Sequence, residues 1–399
     1  MRISRTAVHN ITATSSDRKG VAAMSATARD EVIEIAGAGP AGLAAAIALA
    51  RAGRRVVVHE AQREVGYRFQ GDLQGLENWT TERDVLDDLR EMDLTTAFVH
   101  RACREGTAFD AWGQAHPVRS RAPLFYMVER GPGPGSLDTA LFEQARALGV
   151  EVRFGSRLEQ LAALGILATG PKAADAIAVG YHFETDMDDG FWTICDEALA
   201  PQGYAYLLVM NGRGTVKSCM YTGFKQEALY VQRTVAAFAR LAGLKMENAR
   251  LHGGVGNFHI PVSAWSGRHP VAGEQAGFQD TLWGFGMRLA IRSGVLAARS
   301  LVDGGDYKSR WRRELGPWLR ASVVNRALYG LLGNAGYRWA LRQQAGRDAR
   351  EFLRRLYRPS FAKRLLMPWA RWHYRSRRRD TSCNHVDCAC IWCRCAVPR

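Results

Sequence analysis

Gly37, Gly39 and Gly42 stand at G-x-G-x-x-G spacing in "EIAGAGPAGLAAAIALARAG", and Glu60 closes the following "RRVVVHE". That pattern is chemistry for holding a dinucleotide. Gly37 permits a tight turn, Gly39 lets a pyrophosphate approach the Ala38–Pro40–Ala41 backbone, and Gly42 lets helix and strand pack closely. The helix that starts there presents free N–H groups and the positive end of its dipole to phosphate. Glu60 can accept both hydroxyls of an adenosine ribose and disfavours a 2′-phosphate. The fingerprint alone does not separate FAD from NAD. A second glycine-rich segment, "VAGEQAGFQDTLWGFGM" from Val271 to Met287, bears on that choice. An NAD site has no use for it, whereas FAD has a ribityl chain and an isoalloxazine ring that need their own cradle. Gly273 and Glu274 are placed to meet ribityl hydroxyls, and Gly284, Phe285, Gly286 and Met287 to form the ring's backbone rest.

These residues need particular elements around them. Val32, Ile33 and Ile35 read as a short strand, the Ala/Leu-rich stretch as a helix capped at Gly53, and Val56, Val57 and Val58 as a second parallel strand. After Gly286, the residues Met287, Ile291, Val295, Ala298 and Val302 fall on one helical face that ends at Asp303–Gly305. The N-terminus of that helix favours an anionic, reduced flavin. From about Gly180 to Val231 apolar and polar residues alternate, which predicts antiparallel strands over the flavin. Trp192, Tyr204 and Tyr206 are candidates to line an apolar substrate cavity there, with core packing as the competing reading. His182, His252 and His259 are candidate proton donors, and no catalytic acid or base is assigned. The expected fold is α/β: a doubly wound FAD/NAD(P)-binding Rossmann-like domain over residues 31–305, interleaved with an antiparallel substrate-binding sheet (about 180–232), plus a C-terminal helical region over 306–380.

Charge and cysteine are both concentrated at the C-terminal end. The 399 residues carry a net +15, yet 20 Lys or Arg stand against 3 acids between Lys308 and Arg379, so the rest is near neutral. That segment also holds Trp311, Trp318, Trp339, Trp369 and Trp372. Arginine with tryptophan suits the surface of an anionic membrane, and a solvated helical cap is the alternative. No RNA-binding module accompanies the basic residues, which argues against nucleic acid. Five of the eight cysteines, Cys383, Cys388, Cys390, Cys393 and Cys395, cluster over residues 381–399. Thiolates at these spacings can hold zinc or an iron–sulfur cluster, the latter able to pass electrons to a flavin. Residues 1–30 are small and polar, without the apolar core of a secretory leader, and read as a disordered extension, with Met24 as an alternative start. The expected location is cytoplasmic, with peripheral contact to a membrane.

With these motifs in place, the chain resembles FAD-dependent oxidoreductases of the aromatic-hydroxylase structural class, and within it the geranylgeranyl reductase family, over residues 31–305. Gly273 and Glu274 occupy the positions of that family's Gly-Asp, with one added methylene. The resemblance implies that Arg130 contacts the flavin and that the Thr169–Gly170 turn passes near the dinucleotide. It further implies that Trp283 and Phe285 line the flavin pocket. Pro201 and Tyr204 match the reductase pattern, and Tyr206 replaces its tryptophan. The family's Ala-Asp-Gly stretch after Gly170 is missing, as is the Trp-x-Trp-x-Ile-Pro signature of flavin halogenases. The implied activity is reduction of a carbon–carbon double bond in an isoprenoid or other lipid-like substrate. Electrons would come from NAD(P)H or from a donor protein such as ferredoxin. Flavin-dependent hydroxylation or epoxidation of an apolar substrate is the second reading. A non-catalytic flavin- or metal-bearing protein that docks on membrane or RNA is the third.

Overall fold

The computed structural model describes residues 31–171 and 174–373. The 1–30 extension and the five tail cysteines lie outside them. Four strands form a parallel sheet in the order β8-β2-β1-β9: β1 (Ile33–Ala36), β2 (Val56–His59), β8 (Glu151–Arg153) and β9 (Gly165–Leu167). Parallel neighbours require a crossover, and α1 (Pro40–Arg51) supplies it between β1 and β2. Pro40 pre-forms its first turn, and Gly53 takes the left-handed conformation just past its end. Ala41, Ala44, Ala45 and Ala46 of α1 are almost fully buried, so this helix can be approached closely.

The closest approach is made by α5 (Met287–Asp303), which crosses α1 at Ala41. A Cβ at Gly294 would stand 2.0 Å from the Ala41 carbonyl oxygen, and one at Gly273 would stand 2.8 Å from the Ala41 methyl. Met287, Ile291, Val295 and Ala298 are buried as their spacing predicts. Val302 is not: it is 46% exposed, because the last turn of α5 runs past the core before Gly304 ends it.

Two further layers, antiparallel but for one pairing, carry the rest of the cleft. Strands β3 (Asp72–Glu77), β7 (Phe125–Arg130) and β4 (His100–Cys103) pair in that order. Two helices flank them, α2 (Val85–Glu91) before β4 and α3 (Leu137–Ala147) after β7. A seven-stranded sheet has the order β14-β10-β13-β12-β11-β5-β6. Its strands are β5 (Glu105–Asp110), β6 (Ala115–Arg119), β10 (Ala176–Glu184), β11 (Gly190–Cys195), β12 (Tyr204–Met210), β13 (Arg213–Met220) and β14 (Glu247–Gly256). This sheet starts earlier than the alternation predicts and recruits two strands from before residue 120. Its strands are also interrupted within the expected region, where α4 (Glu227–Ala242) takes up the end, and they resume beyond it with β14. Val231, Thr234, Ala237 and Phe238 are buried at helical spacing, and that periodicity outweighs the β-branched residues nearby. Phe238 and Ala237 pack under one face of the sheet against Phe183, Leu207, Val209 and Val216. The other face looks into the cleft.

Five helices close the fold: α6 (Tyr307–Glu314), α7 (Gly316–Tyr329), α8 (Gly333–Gln344), α9 (Ala349–Tyr357) and α10 (Phe361–His373). Trp311 is buried in the core shared with α1 and α5, whereas Trp339 and Trp372 are exposed. Among the described residues no helix is long and apolar enough to cross a membrane.

The Ala41 crossing sets a test. Replacing Gly294 with Ala puts a methyl against a backbone atom, so the helices must separate. Chemical denaturation is expected to show a loss of about 1–3 kcal/mol.

Candidate active site

The first loop has the geometry that its glycines require. Gly37 adopts φ +102°, and a Cβ there would meet the Ala168 carbonyl oxygen at 2.3 Å. A Cβ at Gly42 would meet the Gly37 oxygen at 1.9 Å. Gly39 differs: a Cβ there would touch nothing within 4 Å, so its open side faces the cleft. The protein has no packing reason for glycine at 39, whereas a closely approaching phosphate does. Glu60 folds back on the loop, its two carboxylate oxygens accepting from the Ala38 N–H and the Gln62 N–H at 2.9 Å each. Each oxygen keeps a free lone pair for a ribose hydroxyl.

The second segment lies against the first through the Ala41 contact. The Gly273 N–H donates to Ser293 Oγ at 2.8 Å. Glu274 accepts from the Asn257 N–H at 3.1 Å and pairs with Arg68 at 3.2 Å. Burial raises its carboxyl above the usual range, against the pull of Arg68. Gly284 is left-handed, and Phe285, Gly286 and Met287 lead into the N-terminus of α5. Phe285 stacks edge-on with Trp79 and faces Gly75, where a Cβ would stand 2.3 Å from its ring. Thr169 donates through its N–H and its hydroxyl to Gln275, which ties the Thr169–Gly170 turn to this segment. Arg130 is buried and bidentate to Asp138, at 2.8 and 2.9 Å, and its guanidinium lies over Phe69. Its salt bridge fixes it in the wall, and one more of its N–H groups reaches Gln74.

These parts line one continuous cavity of about 1580 Å³. It runs from Gly37–Ala41 and Glu60, past Arg130, Thr169–Gly170, Gly273–Glu274 and Gly284–Met287, into a chamber beneath the seven-stranded sheet. Single-ligand pockets span roughly 300–1,000 Å³, so there is room for a cofactor and a second molecule. The sheet's alternation puts Tyr204, Tyr206, Lys217, Cys219, His252 and Gly254 on the cavity wall. Trp192 touches the cavity, but its ring packs with the α4-side cluster around Leu207 and Ile194, so core packing takes most of it. The Tyr204 hydroxyl donates to the Trp283 carbonyl, that of Tyr329 to Gly203 and that of Tyr337 to Glu197. With those hydroxyls engaged, the chamber is lined mainly by ring faces, with Leu353 and Leu356 from α9. Its mouth includes Leu328, Leu332 and Trp339, which also face solvent.

One polar network interrupts this wall. Lys217 Nζ is 2.6 Å from Asp72 Oδ2 and 3.0 Å from His252 Nδ1. His182 Nε2 lies 3.0 Å from Asp72 Oδ1, and the two imidazoles stack with centroids 4.1 Å apart. His252 Nε2 lies 2.8 Å from the Arg68 carbonyl. A carbonyl can only accept, so Nε2 carries the proton, and in the neutral ring Nδ1 accepts from Lys217. Burial, reinforced by the Lys217 charge, lowers His252 to about 4, which keeps it neutral. Burial alone would raise Asp72, but Lys217 and the two histidines hold it well below the carboxylate range. Burial lowers Lys217 against the opposing pull of Asp72. Asp72, His182 and His252 could together surround a metal ion, but the Lys217 ammonium already supplies their cation. His259 is apart from the network, against Gly277. Sequence reasoning names His182 and His252 and misses Lys217, which joins them through the strand register, and Asp72, which reaches them from another sheet.

The first loop's segment, residues 35–72, matches the family described as "NAD(P)-binding Rossmann-like domain". No curated protein sequence matches the chain. Solved structures share its fold. A geranylgeranyl bacteriochlorophyll reductase-like protein from Thermoplasma acidophilum superposes with TM-score 0.66 at 15% identity, over 86% of this chain and 96% of the other. A p-nitrophenol 4-monooxygenase from Pseudomonas putida gives 0.56 at 17% identity, over 82% and 96%. A flavin-dependent halogenase gives 0.54 at 17% identity, over 86% and 70%. The chain thus shares the fold of these proteins.

The ion network predicts its own response to mutation. Asp72→Asn leaves a buried ammonium without its anion and is expected to cost about 3–5 kcal/mol in denaturant unfolding. Adding Lys217→Met removes the stranded charge, and the double variant is expected to regain most of that loss.

Proposed function

We propose that this chain is an FAD-dependent oxidoreductase that reduces a carbon–carbon double bond in an isoprenoid or other lipid-like substrate. The supporting observation is the single cavity that joins the glycine loops to an aromatic, apolar chamber. Glu60 would take the adenosine ribose, the Gly37–Gly42 loop the pyrophosphate and Glu274 the ribityl chain. The Gly284–Met287 segment would carry the ring. When bound, FAD supplies hydride transfer. The chain's own part is to hold the ring below the sheet, to exclude water with Tyr204, Trp283 and Tyr329, and to favour negative charge on the ring through the α5 N-terminus.

The chamber's mouth supports a lipid partner. Leu328, Leu332 and Trp339 are 42%, 37% and 61% exposed there, with Arg342 and Arg347 exposed on or beside the same helix. Apolar side chains ringed by arginine complement an anionic bilayer, and a lipid substrate would then pass from membrane to chamber without crossing water.

The purified protein is expected to show a flavin absorption spectrum, to release FAD on heating, and to lose about tenfold or more in FAD affinity on Glu60→Ala. A colourless protein that cannot be reconstituted with FAD would remove the reading. Anaerobic turnover of a polyprenyl lipid by the reduced enzyme is the expected activity, whereas oxygen consumption coupled to product would assign it as a monooxygenase. In flotation assays, binding to vesicles containing phosphatidylglycerol is expected to exceed binding to neutral phosphatidylcholine vesicles. The Leu332→Ala/Trp339→Ala pair is expected to lower it by about tenfold.

A further inference from the structure

Lys217 is 2% exposed and stands in the wall of the cavity. Its place is set by register. Tyr206 on β12 is the direct partner of Lys217 on β13, Lys217 of Gly180 on β10, and Gly180 of His252 on β14. Gly180 contributes no side chain to this row, so Lys217 and His252 meet across it. Asp72 reaches the same point from β3. An ammonium has three N–H donors. Asp72 takes one and His252 a second; among the described residues no third acceptor stands within hydrogen-bond distance. The other groups facing Lys217 are accounted for. His182 is bonded to Asp72, Thr215 donates to Asp72, and burial holds Cys219 as a thiol with its pKa raised to about 12. Tyr206 stands beside Lys217 on the cavity face, and no hydrogen-bond partner for its hydroxyl occurs among the described residues.

A spare cationic donor in an apolar wall selects for an oxygen atom. Resting on the function proposed above, we propose that the double bond reduced here is conjugated to a carbonyl, and that the Lys217 ammonium receives that carbonyl oxygen. The chemistry balances. A hydride, two electrons and one proton, which FAD would supply when bound and reduced, adds to the β-carbon. The π electrons shift onto oxygen as an enolate. One Lys217 N–H bond breaks as the enol O–H forms, and the enol tautomerises in water to the saturated ketone. The neutral amine left behind faces the Asp72 carboxylate, which favours its reprotonation from water. An ammonium matches an enolate oxygen in acid strength but is far too weak an acid to protonate an isolated alkene. The same donor that stabilises the enolate therefore discriminates between the two substrate types.

The test is binding, read independently of turnover. Its probes are β-ionone, a conjugated isoprenoid ketone, and its analogue with methylene in place of the carbonyl oxygen. The wild-type protein as purified is expected to prefer the ketone by about 10- to 100-fold, the range of a hydrogen bond to a charged group. In Lys217→Met, and in Asp72→Asn/Lys217→Met should the single variant fold poorly, that preference is expected to vanish. Lys217→Arg is expected to restore part of it. In wild type alone, the infrared carbonyl stretch of bound ketone is expected to fall to lower frequency. A purely structural lysine would change stability and leave the preference untouched. Equal affinity for the two probes in wild type, binding of neither, or a preference that survives loss of Lys217 would each overturn the proposal. FAD content measured on the same samples separates this failure from failure of the flavin reading: a protein without FAD still reports on Lys217 through the ketone preference.

Discussion

The contact between Ala41 and the two glycines at 273 and 294 is the constraint on which the remaining geometry depends. It joins helix starts separated by nearly 250 residues and turns two unremarkable glycine-rich turns into opposite ends of one cavity. Both helices aim their N-termini into that cavity, α1 at Gly39–Pro40 and α5 at Gly286–Met287. Two positive dipole ends converge there, and the acids on the wall, Glu60 and Glu274, stand beside them. A side chain at Gly294 would separate the helices, and one at Gly273 would push its segment off α1, so either change parts the two halves of the cradle.

The large sheet divides its residues by alternation. One face is sealed by α4 and packs like an ordinary core around Phe238. The other face is left open as a wall, and its polar groups are nearly all engaged. Tyrosine hydroxyls are tied to the Trp283 and Gly203 carbonyls, so that rings rather than hydroxyls meet a ligand. The C-terminal helices complete the same design. Arg326 on α7 is clamped between the rings of Tyr221 and Tyr329, and Tyr357 on α9 donates to buried Asp280. Burial raises Asp280 to about 6, and the Trp283 N–H and Tyr357 hydroxyl act against that rise. The basic segment thus forms part of the chamber, and its arginines are not all available for a surface role.

The features legible in the sequence are those written locally. The loop at Gly37–Gly42, the strand that ends in Glu60 and the helix after Gly286 each depend on neighbours within a few residues. The helix at Glu227 was also written locally, but as an apolar spacing of three and four that the surrounding strand-like alternation hides. Trp192 shows a different limit. Alternation says that it faces one side of a sheet, but not which side, because the side that becomes cavity is chosen by where α4 docks. Asp72, Lys217 and His252 could not be grouped from sequence at all. They come from β3, β13 and β14, and Lys217 in "RGTVKSCM" looks like an ordinary solvent-facing lysine. The register across Gly180 brings Lys217 and His252 together, and the packing of β3 on the large sheet adds Asp72.

That network is also the least economical part of the wall. A buried ion pair seldom adds stability over apolar residues of the same volume, because desolvating two charges offsets most of their attraction. A chamber meant only to hold a hydrocarbon would be served as well by leucine and methionine at these positions. Here the carboxylate is saturated by Lys217, His182, Thr215 and Gln74, while one N–H of the ammonium has no acceptor among the described residues. The asymmetry is what distinguishes a binding group from a structural pair. A structural pair would satisfy both partners equally. In this one the anion's satisfaction fixes the cation in place, while one N–H of the cation has no acceptor among the described residues.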